Sequence, residues 1–142
     1  SVNFFIETEF IYGNLIGTTS GLYSLKSVDK LSDSLSVLIA NENFISYYSD
    51  SINLIIATPN RIYKFNELCG IFNISSSTIS SINCITVLDN IIYIGTDTGL
   101  KYCTVNNLTD IYDIQGIKDS VKALTTIDVN GYTKVLAATE NS

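Results

Sequence analysis

Residues 15–18 read Leu-Ile-Gly-Thr, and this order of two apolar residues, a small residue and a threonine returns three times further along the chain. The later copies are Ile-Ile-Ala-Thr at 55–58, Tyr-Ile-Gly-Thr at 93–96 and Leu-Ala-Ala-Thr at 136–139. Their threonines are separated by 40, 38 and 43 residues (58−18, 96−58 and 139−96). A period of this length is typical of repeat architectures built from small sheets. We therefore expect a chain of repeated β-units.

A tight turn follows each of the first three threonines. Thr18 and Thr96 begin Thr-x-x-Gly turns, in which Gly21 and Gly99 are expected to have a positive φ. The second copy lacks this glycine, so Asn60 is expected to supply the left-handed residue of a type II turn. The residues predicted to define the repeat motif are Gly17, Thr18, Gly21, Thr58, Asn60, Gly95, Thr96, Gly99 and Thr139.

Further apolar runs, bounded by turn residues, complete each unit. First strands are predicted at 4–11, 44–48, 82–88 and 121–127, and third strands at 22–25, 62–65 and 100–104. Fourth strands, each after a polar loop, are predicted at 36–40, 71–74 and 111–114. Segments 52–57 and 91–94 are apolar at nearly every position, which predicts strands with both faces covered.

The predicted fold is all-β: a β-propeller of about three and a half four-stranded antiparallel blades. One partial propeller is expected over the whole chain, with blades at about 1–40, 41–78 and 79–117 and a half-blade at 118–142. Because a ring needs about four to eight blades, this segment is expected to belong to a larger ring. Completion of the ring by separate chains is the competing interpretation.

Segments 16–23 and 94–101 resemble the repeat of the two-component-regulator type of β-propeller, Ile-Gly-Thr-x-x-Gly-Leu-Tyr, the second less completely. Members of that family usually have Trp before Ile-Gly-Thr, and this chain departs from the pattern with Leu15, Ile55, Tyr93 and Leu136. The absence of both His and Trp excludes the WD40 signature. The resemblance implies a propeller fold, whose members serve as sensors, adhesins and scaffolds, and it implies no single activity.

Composition narrows the function classes. The net charge is −6, and the eight basic residues are scattered, so a nucleic-acid partner is not expected. No apolar run approaches the roughly 18 residues that a membrane span requires, so membrane insertion is not expected. Without His there is no Ser-His pair and no imidazole ligand, and the pairs Glu7/Glu9 and Asp110/Asp113 are interpreted as surface charge. No catalytic, cofactor-binding or metal-binding residue is predicted.

Tyrosines and cysteines are interpreted mainly as core residues. Tyr23 and Tyr63 occupy the same repeat position and could form a ligand-facing aromatic surface, but packing between blades is favoured. The adjacent Tyr47 and Tyr48 should each face one neighbouring sheet. Cysteines 84 and 103 fall in predicted strands and should pack as small apolar residues, while no pairing is predicted for the third, Cys69.

Three function hypotheses follow. The leading one is a non-enzymatic structural or protein-interaction propeller, whose partners are the rest of the propeller, other copies or assembly subunits. A virion or phage-tail setting is favoured weakly by residue usage typical of AT-rich genes, and a cytoplasmic location stays open. The alternative is an extracytoplasmic sensor or adhesion propeller that binds a glycan or small molecule. The second alternative is part of an enzyme whose active site lies outside this segment.

Overall fold

The computed structural model describes residues 1–7, 13–27, 33–66, 71–74 and 79–140. Every regular element in these ranges is a β-strand in an antiparallel sheet, which confirms the all-β prediction. The first sheet contains β1 (Val2–Ile6), β2 (Asn14–Thr18), β3 (Gly21–Ser27) and β4 (Asp33–Ala40). The second contains β5 (Ser46–Ser49), β6 (Leu54–Ala57), β7 (Ile62–Asn66) and β8 (Ile71–Ile74). The third contains β9 (Ile82–Leu88), β10 (Ile91–Thr96), β11 (Gly99–Thr104) and β12 (Asn107–Asp113), and the fourth contains β13 (Val121–Val129) and β14 (Tyr132–Thr139).

Each of the first three sheets is a simple meander, in which every strand pairs with the next strand along the chain. The repeated motif lies at the end of the second strand of each sheet, and in the first three sheets a turn follows it. Two of the first-to-second-strand turns carry residues with positive φ in sequence, Asp89-Asn90 and Asn130-Gly131. Asn, Asp and Gly tolerate this conformation best, so these turns are encoded locally.

Some strand boundaries match the predictions and others do not. Strands β8 and β9 begin and end at the predicted residues, whereas β12 begins at Asn107 and not at 111. A two-residue turn at 105–106 replaces the expected polar loop, and its Val105 and the following Leu108 are buried. The start of β12 was missed because the strand is polar on its exposed face. Part of the predicted first strand, residues 8–11, lies outside the described residues.

Successive sheets contact each other through their first strands. Strand β1 contacts β5, β5 contacts β9, and β9 contacts β13. The apolar core lies between successive sheets in three clusters. The second and third sheets therefore each have one face toward the preceding sheet and one face toward the following sheet.

Strand β6 shows how this stacking arises from the sequence. Its four residues are all buried, and because side chains alternate along a strand, they enter two different clusters. Leu54 and Ile56 pack between the first and second sheets, whereas Ile55 and Ala57 pack between the second and third. The prediction that the run 52–57 is covered on both faces is therefore confirmed for 54–57, whereas Ile52 lies in the preceding turn and is 79% exposed.

The neighbouring Tyr47 and Tyr48 also face opposite ways, as predicted. The ring of Tyr47 lies 5.0 Å, centroid to centroid, from that of Phe4 in the first sheet. Tyr48 packs against the cluster between the second and third sheets. Its hydroxyl donates a hydrogen bond of 2.9 Å to Asp50. Among the described residues there is no helix with the length and apolar character needed to cross a membrane.

Candidate functional site at the hairpin end

One end of the stacked sheets collects the repeated hairpin turns and the connections between sheets, and we call it the hairpin end. The turns are 18–21, 58–61 and 96–99, and the connections are 41–45, 79–81 and 114–120. In each meander the second-to-third-strand turn and the exit from the fourth strand lie at the same end. The chain segments that connect successive sheets are therefore at this end.

The repeated threonine holds the hairpin turn closed. Thr18 Oγ1 accepts hydrogen bonds from the backbone N–H groups of Ser20 (3.1 Å) and Gly21 (3.0 Å). Thr58 Oγ1 accepts the corresponding bonds from Asn60 and Arg61, at 3.3 and 3.0 Å. A threonine hydroxyl at this position accepts hydrogen bonds from two backbone N–H groups of the turn. This explains why threonine recurs at the motif's fourth position.

The third copy repeats the arrangement with the threonine fully buried. Thr96 Oγ1 accepts a bond of 3.2 Å from the N–H of Thr98 and donates one of 2.8 Å to the carbonyl of Gly99. In the fourth copy, Thr139 ends β14 and is paired in register with Val121. Directly after it, the N–H of Glu140 donates to the carbonyl of Ser120 at 2.9 Å.

Two of the predicted turn conformations are wrong. Gly99 has the expected positive φ of 134°, but Gly21 and Asn60 do not have a positive φ. Asn60 does not need a positive φ, because the Thr58 hydroxyl closes this turn in the same way as the Thr18 hydroxyl closes the turn of the first sheet. Gly21 is required for space, since a Cβ there would lie 2.7 Å from the carbonyl oxygen of Ile39 on the adjacent strand.

The small residue at the motif's third position lies under side chains of the first strand or of the next sheet. A Cβ on Gly95 would lie 2.6 Å from Cys84 Sγ and 2.7 Å from Val121 Cγ1 of the fourth sheet. A Cβ on Gly17 would overlap the ring of Phe4. In the second copy the small residue is Ala57, which is fully buried. Large side chains are excluded here because the sheets approach closely.

The connections between sheets are bonded to these hairpins. Phe44 donates its N–H to the carbonyl of Thr18 at 3.0 Å, and Asn41 donates to Ser20 at 2.8 Å. At the next junction, Ile79 donates to Asn60 at 2.9 Å, and Ile82 donates to Pro59 at 2.8 Å. The first two hairpins are therefore hydrogen-bonded to the chain segments that lead into the following sheets.

A β-bulge in the first strand supplies a second contact between sheets. In the first, third and fourth sheets, one extra residue is inserted opposite the motif's small residue and threonine: Asn3, Asn83 and Lys122. The amide of Asn3 donates to the carbonyl of Phe44 at 2.7 Å, and that of Asn83 donates to the carbonyl of Val121 at 3.0 Å. A bulge re-aims its side chain, here toward the next sheet. The shared Asn, preceded by Val or Ile, was the sequence signal for this contact, which sequence analysis missed.

A polar cluster surrounds Asp97 between the third and fourth sheets. Asp97 Oδ1 accepts hydrogen bonds from Asn83 at 2.9 Å and from Ser120 at 3.3 Å, and it lies 3.5 Å from Lys122 Nζ. The bond from Asn83, followed by the positive charge of Lys122, lowers the pKa of the Asp97 carboxyl. The carboxylate is exposed, so it is a charged group available to a partner.

A second cluster lies between the first and second sheets. Glu42 accepts a hydrogen bond of 2.8 Å from Arg61 Nη1 and one of 2.5 Å from the hydroxyl of Tyr63. Burial, and then the bond to Glu42, raise the pKa of Tyr63 to about 12. A cavity of about 360 Å³ opens beside this cluster, lined by Asn41, Glu42, Asn43, Thr58, Pro59, Asn60 and Arg61.

A cavity of about 270 Å³ lies at the same end of the third sheet. It is formed by Gly99 to Lys101 and by the connection 113–118 that leaves β12. Lys101 and Asp113 form an ion pair at its edge. Both cavities thus combine a repeated hairpin with a connection between sheets.

The two tyrosines predicted as candidate ligand-facing residues do not form one aromatic surface. Tyr63 is only 3% exposed, and its ring packs 5.6 Å from that of Phe44. Tyr23 is half-buried on the face of the first sheet that points away from the second. The position of Tyr63 supports packing between sheets.

Cysteines and carboxylates occupy structural positions. Cys84 and Cys103 are free and buried, and burial raises the pKa of each thiol to about 11. Asp110 accepts a bond of 2.9 Å from Asn107, and Asp113 pairs with Lys101. Cys69 and Glu9 lie outside the described residues. Within the described ranges, no group of three or more Cys, Asp or Glu residues is arranged to hold a metal ion.

No protein-family model matches the chain, and no curated protein matches its sequence significantly. The fold class is all-β, with four antiparallel sheets in the described part of the chain.

Proposed function

We propose that this chain is a β-propeller segment of the two-component-regulator type and that it acts as a non-enzymatic structural or protein-interaction module. The observation that carries the proposal is the repeated junction between sheets. Each four-stranded meander places its first strand against that of the next sheet, and each hairpin bonds the connecting chain. Repetition of one such junction turns successive sheets about a common axis, as in a propeller.

The hairpin end is the proposed binding surface. It bears the exposed Asp97 carboxylate and the Glu42–Arg61 pair, beside cavities built by loops from adjacent sheets. Loops on a rigid scaffold are where binding groups concentrate. A protein partner fits this mixture of charges and shallow cavities, and a virion or tail assembly is the proposed setting.

The test is the mass and assembly state of the polypeptide isolated from its natural source under native conditions. We expect it in a stable protein assembly, with the partners cross-linked to 41–43, 58–61 or 97–98. Recovery as a free 15.6 kDa monomer with no protein contact at these residues would contradict an interaction role.

The propeller geometry is tested separately by an experimental structure. We expect β1, β5, β9 and β13 to lie innermost around one axis. Sheets that stack in parallel layers without rotation would contradict the fold while leaving an interaction role possible.

The two cavities at the hairpin end favour glycan or small-molecule binding as the second candidate function. The cavity beside Glu42 and Arg61 offers one acceptor group and one donor group within a concave surface. Glycan-array binding that is lost on Arg61→Ala, with Lys134→Ala as an exposed control, would support this function. Equal binding by both variants would count against it.

A further inference from the structure

Two apolar sheet faces are exposed within the described part of the chain. We call the outward face of the first sheet the leading face, and it consists of Phe5, Ile16, Tyr23, Leu25, Leu35 and Val37. We call the outward face of the fourth sheet the trailing face. Its side chains include the apolar Ile127, Val129, Tyr132 and Leu136, with Thr125 and the exposed Lys134 among them. Val37 is 57% exposed and Leu136 is 51% exposed. Contiguous exposed apolar side chains of this kind mark interaction surfaces.

The leading face has covered counterparts in the second and third sheets. Its register row Phe5–Ile16–Tyr23–Val37 corresponds to Tyr47–Ile56–Tyr63–Ile74 and to Ile85–Ile94–Lys101–Asp113. In those rows the central isoleucine, Ile56 or Ile94, is fully buried against the preceding sheet. Ile16 occupies the same position and is only half-buried. The leading face is therefore a surface of the kind that receives a preceding sheet.

The trailing face has counterparts as well. Ala123 and Ala138 are paired in register like Cys84 and Gly95, which lie against the next sheet at Val121. The trailing face thus presents the small residues over which a following sheet packs. Leading-type and trailing-type faces already pack on one another at three junctions within the chain.

Val2 indicates where the leading face would contact the trailing face. In the first strand of each sheet, one residue is paired with the motif's small residue. In the second, third and fourth sheets the position two residues before it contacts the preceding sheet and is almost fully buried: it is Phe44 (0% exposed), Ile82 (2%) and Val121 (0%). Val2 stands at the same position of the first sheet and is 67% exposed. By equivalence with Val121 over Gly95, Val2 of a following sheet would lie over Ala138.

We propose that the leading face of one copy of this chain docks on the trailing face of a second copy, head to tail, with Val2 against Ala138. The proposal rests on the proposed propeller geometry, because it extends the internal junction to a second chain. The trailing face measures roughly 10 by 27 Å, because it is two strands wide at about 4.8 Å per strand and about eight residues long at about 3.4 Å per residue. Such a patch is smaller than a standard interface of about 800 Å² per partner, so the association is expected to be reversible.

The test is sedimentation equilibrium of the 142-residue protein over a wide concentration range. Val37→Glu on the leading face and Leu136→Glu on the trailing face each place an unpaired charge in the interface. Each is expected to weaken association by about tenfold or more. Ile52→Glu, at a turn residue 79% exposed and outside both faces, is the matched control and should associate like the wild type.

Mixing the two face variants distinguishes head-to-tail docking from symmetric docking. The mixture should form a 1:1 dimer that does not grow further, since each variant keeps one intact face. Loss of association by only one variant would mean that one face pairs with itself, and retention by both would mean pairing at a strand edge. Either result overturns the proposal.

A cross-linking experiment checks the register of the contact. A mixture of Val2→Cys and Ala138→Cys proteins should form a disulfide-linked heterodimer under mild oxidation, in excess over either homodimer. A wild-type chain that stays monomeric at the highest concentration would also overturn head-to-tail docking. That result leaves the propeller proposal standing, because the experimental structure of the single chain tests the propeller independently.

Discussion

Replacement of Gly95 by Ala tests whether the third and fourth sheets approach as closely as described. The added Cβ would lie 2.6 Å from Cys84 Sγ and 2.7 Å from Val121 Cγ1, well inside ordinary contact distance. Overpacking of this kind costs about 1–3 kcal/mol. The lower backbone entropy of Ala in a strand returns about 0.5–1 kcal/mol. From the middle of each range, we expect a net loss of about 1 kcal/mol of unfolding free energy.

The measurement is urea unfolding followed by circular dichroism, with the Cys84→Ala/Val121→Ala double variant as a second background. Because this background removes both clashing atoms, Gly95→Ala should there be neutral or slightly stabilising. The difference between backgrounds is a coupling free energy, expected to exceed about 0.5 kcal/mol. If Gly95→Ala is harmless in the wild-type background, the close approach of the two sheets is refuted. Equal losses in both backgrounds would assign the cost to the glycine backbone instead.

Three further predictions concern the hairpin end. Thr96→Val keeps the side chain's shape but leaves the N–H of Thr98 without its acceptor, so urea unfolding should show a loss of about 1–3 kcal/mol. The control Thr104→Val, at an exposed position, should be near neutral, and an equal loss in both would refute the role of the hydroxyl. Asn83→Leu removes the donor to Val121 and to Asp97, so carbon-13 NMR should show the pKa of Asp97 rising toward its ordinary value. An unchanged Asp97 titration would show that Asn83 does not hold this carboxylate. Tyr63 has a folded pKa of about 12, above its ordinary value of 10, so the stability that it contributes is complete below pH 10 and falls as the pH rises toward 12. The raised pKa values of Cys84 and Cys103 also lower the unfolding free energy in this range, so between pH 10 and 12 the loss should be smaller in Tyr63→Phe than in the wild type and in Tyr132→Phe. Equal curves for all three would contradict the assignment.

Local patterns in the sequence were enough to place most strands and turns. The repeated motif predicted the second strand of each sheet and the hairpin of the first three, and the apolar run of β6 predicted a strand buried on both faces. Asp89-Asn90 and Asn130-Gly131 marked turns because few other residues accept a positive φ. These features depend on a residue and its near neighbours in the chain, so they can be predicted from a single sequence.

Other features depend on which atoms meet across two sheets, and the sequence alone did not reveal them. Gly21 is required by the carbonyl of Ile39, not by its own φ. Asn83 matters because a bulge aims it at the fourth sheet, and Glu42 meets Arg61 and Tyr63 across a junction between sheets. The amino-acid sequence determined the repeat, the all-β fold class and the hairpins. The tertiary structure decided the junctions, the polar clusters and the exposed faces, because they depend on distances between residues far apart in the chain.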